Sequence, residues 1–319
     1  MDIPQEAVQR ARVLIIDDEA SQIMTIRSTL HADYEVSFAC NTDDAYKLCH
    51  QFPQPDIILM DIVMPKCNGY QLCSMLKADA VTHDIPIIFI SGNESAEDMA
   101  KGFNVGCVDY LVKPIRQTEL KARIATHLSL NRQTRALERL AYQDPLTLVA
   151  NRRKFNETLQ REWARCTRYH QPLALLIVDL DDFKVINDNL GHSVGDQCLT
   201  TVAGILRNSI HRPGDMVARI GGDEFALIFS DFEPCAAETK CQSILDSVAL
   251  IPPQKNAQGE YKLTLSMGMS IMYPDTKSDS FDAFQAADRV LYECKKSGKN
   301  RYELSKPYYT TESKLAHFK

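Results

Sequence analysis

The sequence predicts an α/β protein of two units: a doubly wound parallel sheet, a long connecting helix, and a second unit organised around one strand and a glycine hairpin. Three observations predict it. Four short apolar runs recur through the first 113 residues with helix-like stretches between them. Residues 117–142 contain no glycine or proline, and a new segment opens at "DPLT" and carries acids at a strand end and at a turn. The length of 319 residues agrees, at roughly 150 residues per domain. With 45% hydrophobic and 24% charged residues, each half can bury a core.

"RVLIID" (12–17) is apolar without alternation, as a strand covered on both faces must be. "DIILMD" (56–61), "IPIIFIS" (85–91) and "VDYLVK" (108–113) repeat the pattern. In sheets of this type chemistry gathers beyond the carboxyl ends of the strands. There the sequence places Asp17 with Asp18, then Asp61, Ser91 and Lys113. Singly, each has a structural reading: Asp18 as a helix cap, Ser91 as a turn start, Lys113-Pro114 as a strand stop. Together they are three carboxylates that repel unless a cation such as Mg²⁺ sits among them, facing a lysine and a hydroxyl suited to a phosphoryl group.

On "IIDDE", "MDIVMP", "FISG" and "YLVKP", in that order, residues 10–128 resemble a response-regulator receiver domain. The resemblance implies a flavodoxin-like sheet, phosphorylation of Asp61 by a histidine kinase, Mg²⁺ held by Asp17 and Asp18 beside Asp61, and Ser91 and Lys113 as the residues that sense the phosphate.

Residues 129–143 continue as a helical linker. Leu120, Ile124 and Leu128 form one apolar stripe, expected to pack on its own domain. Leu130, Leu137 and Ala141 form a second, imperfect stripe that suits a short coiled-coil contact between two chains, near Asn131 and Arg135.

In the second unit, Asp144-Pro145 starts a helix or turn, and "LALLIVDLDDF" is a strand ending in Asp179, Asp181 and Asp182. The hairpin "ARIGGDEFAL" (218–227) raises a separate question. Tight two-residue turns explain Gly221 and Gly222 through positive φ, but not Asp223 and Glu224. A strand beside that hairpin brings Asp179 next to the acids, and shared carboxylates can hold two metal ions for phosphoryl or nucleotidyl transfer. The glycines then have a second use, letting phosphates approach backbone N–H groups. Lys184, Arg219, Lys295 and Lys299 are the cations expected near a nucleoside triphosphate. The cluster "KKSGKNR" (295–301) suits phosphates or a helix C-terminus equally when read alone.

Residues 144–305 are similar to the GGDEF diguanylate cyclase domain, on "DPLT…NRR", "DLDDFKVIND", "GHSVGD", "ARIGGDEF", "LSMGMS" and "AADRVLYECKKSGKNR". The resemblance implies a ferredoxin-like α+β fold and condensation of two GTP to cyclic di-GMP with release of two pyrophosphates. Asp179 and Glu224, with the carbonyl of Leu180, would bind Mg²⁺ (or Mn²⁺). Asp223 would be the other essential acid, helping to deprotonate the attacking 3′-hydroxyl. Gly221 and Gly222 would pass close to the phosphates. Asn187 and Asp196 would recognise guanine, a carboxylate accepting from N1–H and the exocyclic amine while an amide donates to the ring acceptors. "RPGD" (212–215) reads as a type II turn, yet its R-x-x-D spacing resembles the family's inhibitory product site, with Arg212 and Asp215 as ligands. Leu148 departs from the pattern, standing where the family has glycine, and His192 reads as a packed or capping residue.

The product joins two nucleotides, so two catalytic domains must face each other and a homodimer is expected. The net charge of −6 is concentrated early: residues 1–125 hold 11 lysines and arginines against 18 acids, the remainder 25 against 24. No basic recognition face follows residue 140, so nucleic acid is not an expected partner. No run is long enough to cross a bilayer and "MDIPQEAVQR" lacks a signal pattern, which predicts a cytoplasmic protein with no membrane insertion. Ten scattered cysteines without a CxxC pair read as reduced core residues. Residues 306–319 are expected to be a loose polar tail.

Overall fold

The structure, a computed structural model, describes residues 10–64, 68–92, 95–212, 214–256, 259–275 and 277–305. Cys67, Pro213 and the tail 306–319 lie outside them. The chain divides into two compact units, 1–136 and 137–319.

In the first unit strands and helices alternate: β1 (Arg12–Ile16), α1 (Ala20–Leu30), β2 (Glu35–Ala39), α2 (Thr42–His50), β3 (Ile57–Asp61), α3 (Gly69–Ala78), β4 (Ile87–Ser91), α4 (Ala96–Asn104), β5 (Asp109–Val112) and α5 (Gln117–Tyr142). The parallel sheet has the order β2-β1-β3-β4-β5. Side chains on alternate strand positions feed two cores. Ile23, Ile26 and Leu30 of α1 join Leu120, Ile124 and Leu128 of α5 on one face, while Leu72, Cys73 and Leu76 of α3 cover the other. The first apolar stripe of α5 therefore packs on its own sheet, as expected. Leu130 and Leu137 of the second stripe are 51% and 67% exposed. Asn131 beside them donates to the carbonyl of Asp84 at 3.1 Å.

A small polar clamp in this unit is sensitive to pH. Both ring nitrogens of His50 face acceptors, Nδ1 the carbonyl of Tyr46 at 2.9 Å and Nε2 a carboxylate oxygen of Asp79 at 2.9 Å. Only the protonated ring can donate to both. The Tyr46 carbonyl, then Asp79, accordingly raise the His50 pKa above 6.5. A raised folded-state value contributes stability that is fully present below 6.5 and is lost as pH rises through that value. The urea midpoint of wild type is expected to fall across this window, and His50→Gln to flatten the fall. An unchanged pH profile in the variant contradicts the clamp.

The second unit comprises β6 (Ala150–Asn151), α6 (Arg152–Tyr169), β7 (Leu173–Leu180), α7 (Phe183–Leu190), α8 (His192–Asn208), β8 (Met216–Arg219), β9 (Glu224–Ser230), α9 (Ala237–Ala249), the hairpin β10 (Gln254–Asn256) and β11 (Gly259–Tyr261), then β12 (Leu265–Met272), α10 (Ser280–Lys296) and β13 (Arg301–Leu304). Its mixed sheet runs β13-β12-β7-β9-β8-β6, with fully buried β7 paired antiparallel to both β9 and β12. α6 and α10 cover one face through Phe155, Leu159, Trp163, Ala287 and Leu291. α8 and α9 cover the other through Leu199, Val202, Ile244 and Val248. No helix among the described residues is long and apolar enough to cross a membrane.

Several expectations are corrected here. Cys40 and Cys235 are exposed and belong to no core, whereas Cys49, Cys73, Cys107, Cys166, Cys198, Cys241 and Cys294 are buried free thiols. His192 opens α8 with its side chain exposed, so it is not a packed residue. Leu148 adopts a left-handed φ of 58° with 62% of its surface exposed. The entrance turn is thus the one glycine favours: Asp144 Oδ1 accepts from Thr147 N and Oγ1 at 2.9 and 2.7 Å, and the Leu148 amide returns to the Asp144 carbonyl at 2.9 Å. A residue with a Cβ there costs roughly 1–2 kcal/mol, and little buried contact compensates. After the greater unfolded-state entropy of glycine is subtracted, Leu148→Gly is expected to stabilise this unit by about 1 kcal/mol, read from urea unfolding. Destabilisation by the same substitution contradicts this account of the turn.

Candidate functional site

Each unit concentrates acids at one end of its sheet. In the first, Asp17 follows β1, Asp61 ends β3, Ser91 ends β4 and Lys113 follows β5. Parallel strands end side by side, so these residues meet. Asp17, Asp18 and Asp61 each offer an oxygen, and these lie within 4.8 Å of one another. Lys113 Nζ stands 2.7 Å from Asp61 Oδ2 and 3.8 Å from Asp17 Oδ2. Ser91 is buried, and its carbonyl accepts from the Lys113 amide at 2.8 Å.

Asp17 is fully buried; one oxygen takes the Glu19 amide at 2.8 Å and the other is a buried acceptor without a hydrogen-bond donor. Burial above all raises its pKa, with the Asp61 and Asp18 charges adding and the Glu19 amide and Lys113 opposing. An acceptor left in that condition beside two further carboxylates fits a small oxygen-seeking divalent cation.

In the second unit, antiparallel register sets Asp179 of β7 directly opposite Glu224 of β9. Asp223 joins through its carbonyl, which accepts from the Leu180 amide at 3.3 Å. Asp179 is buried, and Lys295 Nζ of α10 lies 2.7 Å from its Oδ2. Burial is the main cause raising the Asp179 pKa; Lys295 opposes, while Asp223 and Glu224 add to the rise. Buried charge against like charge favours a cation at this point. Among the described residues only Asp17, Asp18 and Asp61 form a group of three mutually close ligands, so these second-unit acids are less tightly gathered. Asp179 and Glu224, opposed in register, nonetheless offer carboxylate oxygens that fit a divalent ion.

That turn corrects one expectation. Neither Gly221 nor Gly222 has a left-handed φ, so backbone freedom is not why they are there. A Cβ on Gly221 would lie 2.6 Å from Glu224 Oε2, so glycine is what lets the Glu224 carboxylate lie against the turn. At Gly222 the same position is open space, which leaves the backbone approachable.

Of the expected cations, Lys295 reaches the acids, and Lys184 is exposed on α7. Lys299 pairs with Asp182 at 2.7 Å. Arg219, expected beside phosphates, is instead committed to protein groups. Nε and Nη2 donate to the Gly222 carbonyl at 3.1 and 2.6 Å, and Nη1 meets Asp144 at 3.1 Å. It is a positioning residue for the turn, anchored at the entrance to the unit.

Asn187 of α7 has a buried Oδ1 without a partner, against Gly195 of α8, and Asp196 is exposed one residue further along that helix. Asp215 closes the 212–215 turn: its amide donates to the Arg212 carbonyl at 3.0 Å, and Oδ2 accepts the Arg212 amide at 3.2 Å. Its Oδ1 is buried and unpartnered, and the exposed Arg212 guanidinium donates to the Asp231 carbonyl.

One strand-end acid has a role that sequence reasoning left unassigned. Asp181 accepts Thr264 Oγ1 at 2.8 Å, Ser266 Oγ at 2.6 Å and the Asn300 amide at 2.9 Å. It is buried and saturated, tying β7 to β12 and to the loop after α10. No signal in its neighbourhood points to donors 83 to 119 positions away.

Comparison with known proteins follows the same division. The family model "Diguanylate cyclase, GGDEF domain" matches residues 141–301, and "Response regulator receiver domain" matches 13–125. The response regulator PleD of Caulobacter vibrioides (strain NA1000 / CB15N) is 28% identical over 297 residues, covering 91% of this chain and 64% of PleD. The chain thus spans about two thirds or less of these curated relatives. The probable diguanylate cyclase DgcT of Escherichia coli (strain K12) is 35% identical over 170 residues, 52% of this chain and 36% of DgcT. The crystal structure of the coiled coil and GGDEF domain of DgcB from Caulobacter crescentus, in complex with c-di-GMP, superposes with a TM-score of 0.53 at 28% identity, covering 59% of this chain and 98% of that one.

Proposed function

Because the chain belongs to the GGDEF diguanylate cyclase family and carries a receiver domain ahead of that domain, we propose that it is a phosphorylation-regulated diguanylate cyclase. It condenses two GTP into cyclic di-GMP and two pyrophosphates. The observation that carries this reading is the pairing of Asp179 with Glu224 beside a turn whose Gly222 is open to an approaching phosphate.

Asp179 and Glu224, with the Leu180 carbonyl, would hold Mg²⁺ or Mn²⁺. Bound there, the ion would supply positive charge to the triphosphate and polarise the α-phosphate. Asp223 accepts the proton of the attacking 3′-hydroxyl as that oxygen bonds to the α-phosphorus of the second GTP and pyrophosphate leaves. Asn187 and Asp196 read guanine, so GTP is preferred over ATP. Lys184, Lys295 and Lys299 supply positive charge to the phosphates, and Arg219 holds the turn that receives them.

One catalytic domain binds one GTP, so the active species is a homodimer. A histidine kinase phosphorylates Asp61, with Asp17 and Asp18 holding Mg²⁺ and Ser91 and Lys113 reading out the added charge. Dimerisation or reorientation of α5 then raises the effective concentration of one half-site near the other. Arg212 and Asp215 bind the product as an inhibitor.

A product assay across protein concentrations, with and without a phosphoryl mimic on Asp61, tests the reading. The rate per molecule is expected to fall on dilution and to respond to the mimic. A rate independent of dilution refutes the dimer requirement.

A further inference from the structure

Lys295 Nζ stands 2.7 Å from Oδ2 of Asp179, the carboxylate that lies opposite Glu224 in the strand register. An ammonium and a divalent ion cannot both occupy that oxygen's first contact layer without strong repulsion. We propose that Lys295 is a resident counter-ion that the divalent ion displaces, so that metal arrival releases the lysine toward the nucleotide phosphates. The proposal rests on the metal-binding reading of Asp179 and adds an order of events to it.

Three features support the exchange. Asp179 is buried and opposed in register by Glu224, so without a cation the pair carries uncompensated like charge. Lys295 lies in the last turn of α10, with its side chain 36% exposed, so it can swing to solvent without unfolding the helix. Lys299, four residues on, is held by Asp182 and not by Asp179, so the two lysines are not interchangeable. The consequence is an antagonism: the residue that aids nucleotide binding weakens metal binding when no nucleotide is present.

The test is Mn²⁺ binding to the full chain without nucleotide, followed by electron paramagnetic resonance. It uses an Asp17→Asn, Asp18→Asn background that silences the receiver acids. Lys295→Met is expected to bind Mn²⁺ about tenfold more tightly than that background, in line with loss of one competing charge-assisted contact. Lys299→Met is expected to change affinity by less than about threefold, the scale of a screened neighbouring charge. A merely structural role for Lys295 would weaken metal binding on its removal, the opposite sign.

A second measurement uses wild-type protein and does not depend on any variant folding. Acetylation of Lys295, read by mass spectrometry, is expected to rise several-fold when Mn²⁺ is added and to fall again with a non-hydrolysable GTP analogue. Unchanged Lys295 labelling, or Mn²⁺ affinity in folded Lys295→Met that is equal or weaker, overturns the exchange. If Asp179→Asn also leaves Mn²⁺ binding unaltered, the metal reading of Asp179 fails with it; if Asp179→Asn abolishes binding, only the exchange fails.

Discussion

Replacing Glu224 by Gln, or Asp179 by Asn, is expected to lower cyclic di-GMP formation by about 10³-fold, the loss of several kcal/mol of transition-state charge stabilisation. Both substitutions keep size and backbone register, so the β7–β9 pairing that opposes them persists. Each removes one of the negative charges that burial and mutual repulsion have set to receive a cation. Circular dichroism is expected to be unchanged while pyrophosphate release disappears. Retention of more than about a tenth of the activity in either variant, with the fold intact, contradicts the role given to these acids.

Gly195→Ala is expected to raise the KM for GTP by about 10- to 100-fold, the scale of one or two lost base-reading hydrogen bonds. A Cβ at position 195 would land on Asn187 Oδ1, well inside contact distance, and also close to the Phe183 ring. Alanine is the better residue for a helix interior, so α8 itself gains from the change. The cost falls on Asn187, which is pushed from the place its buried Oδ1 holds against Gly195. A KM effect without a fall in melting temperature is the expected signature. An unchanged KM shows that Asn187 has no part in guanine recognition.

The sheet of the first unit was legible because β3 and β4 are buried throughout, β1 nearly so and β5 at its centre, and all four leave continuous apolar runs. β2 was not, since Glu35, Ser37 and Phe38 on this edge strand are exposed and interrupt the apolar run that the opposite edge strand β5 keeps. In the second unit the acids at the end of β7 announced chemistry, yet sequence could not divide them between roles. Asp179 faces Glu224, whereas Asp181 is consumed by hydroxyls from a strand more than 80 residues later. The protein partners of Arg219 were hidden for a related reason. A guanidinium two positions before a glycine turn looks like a phosphate ligand, and only the fold brings Asp144, 75 residues away, to claim it. The glycines show that the right residue can be expected for the wrong cause. Gly221 leaves room for the carboxylate packed on it, a contact that lies three residues along the chain but depends on how the turn folds back.

The most direct measurement counts pyrophosphate against cyclic dinucleotide when the purified full chain is given GTP and Mg²⁺. The account predicts two pyrophosphates per cyclic di-GMP, and neither product from Glu224→Gln. Binding of cyclic di-GMP with no pyrophosphate released from GTP at any protein concentration would contradict it, leaving a receptor where an enzyme is proposed.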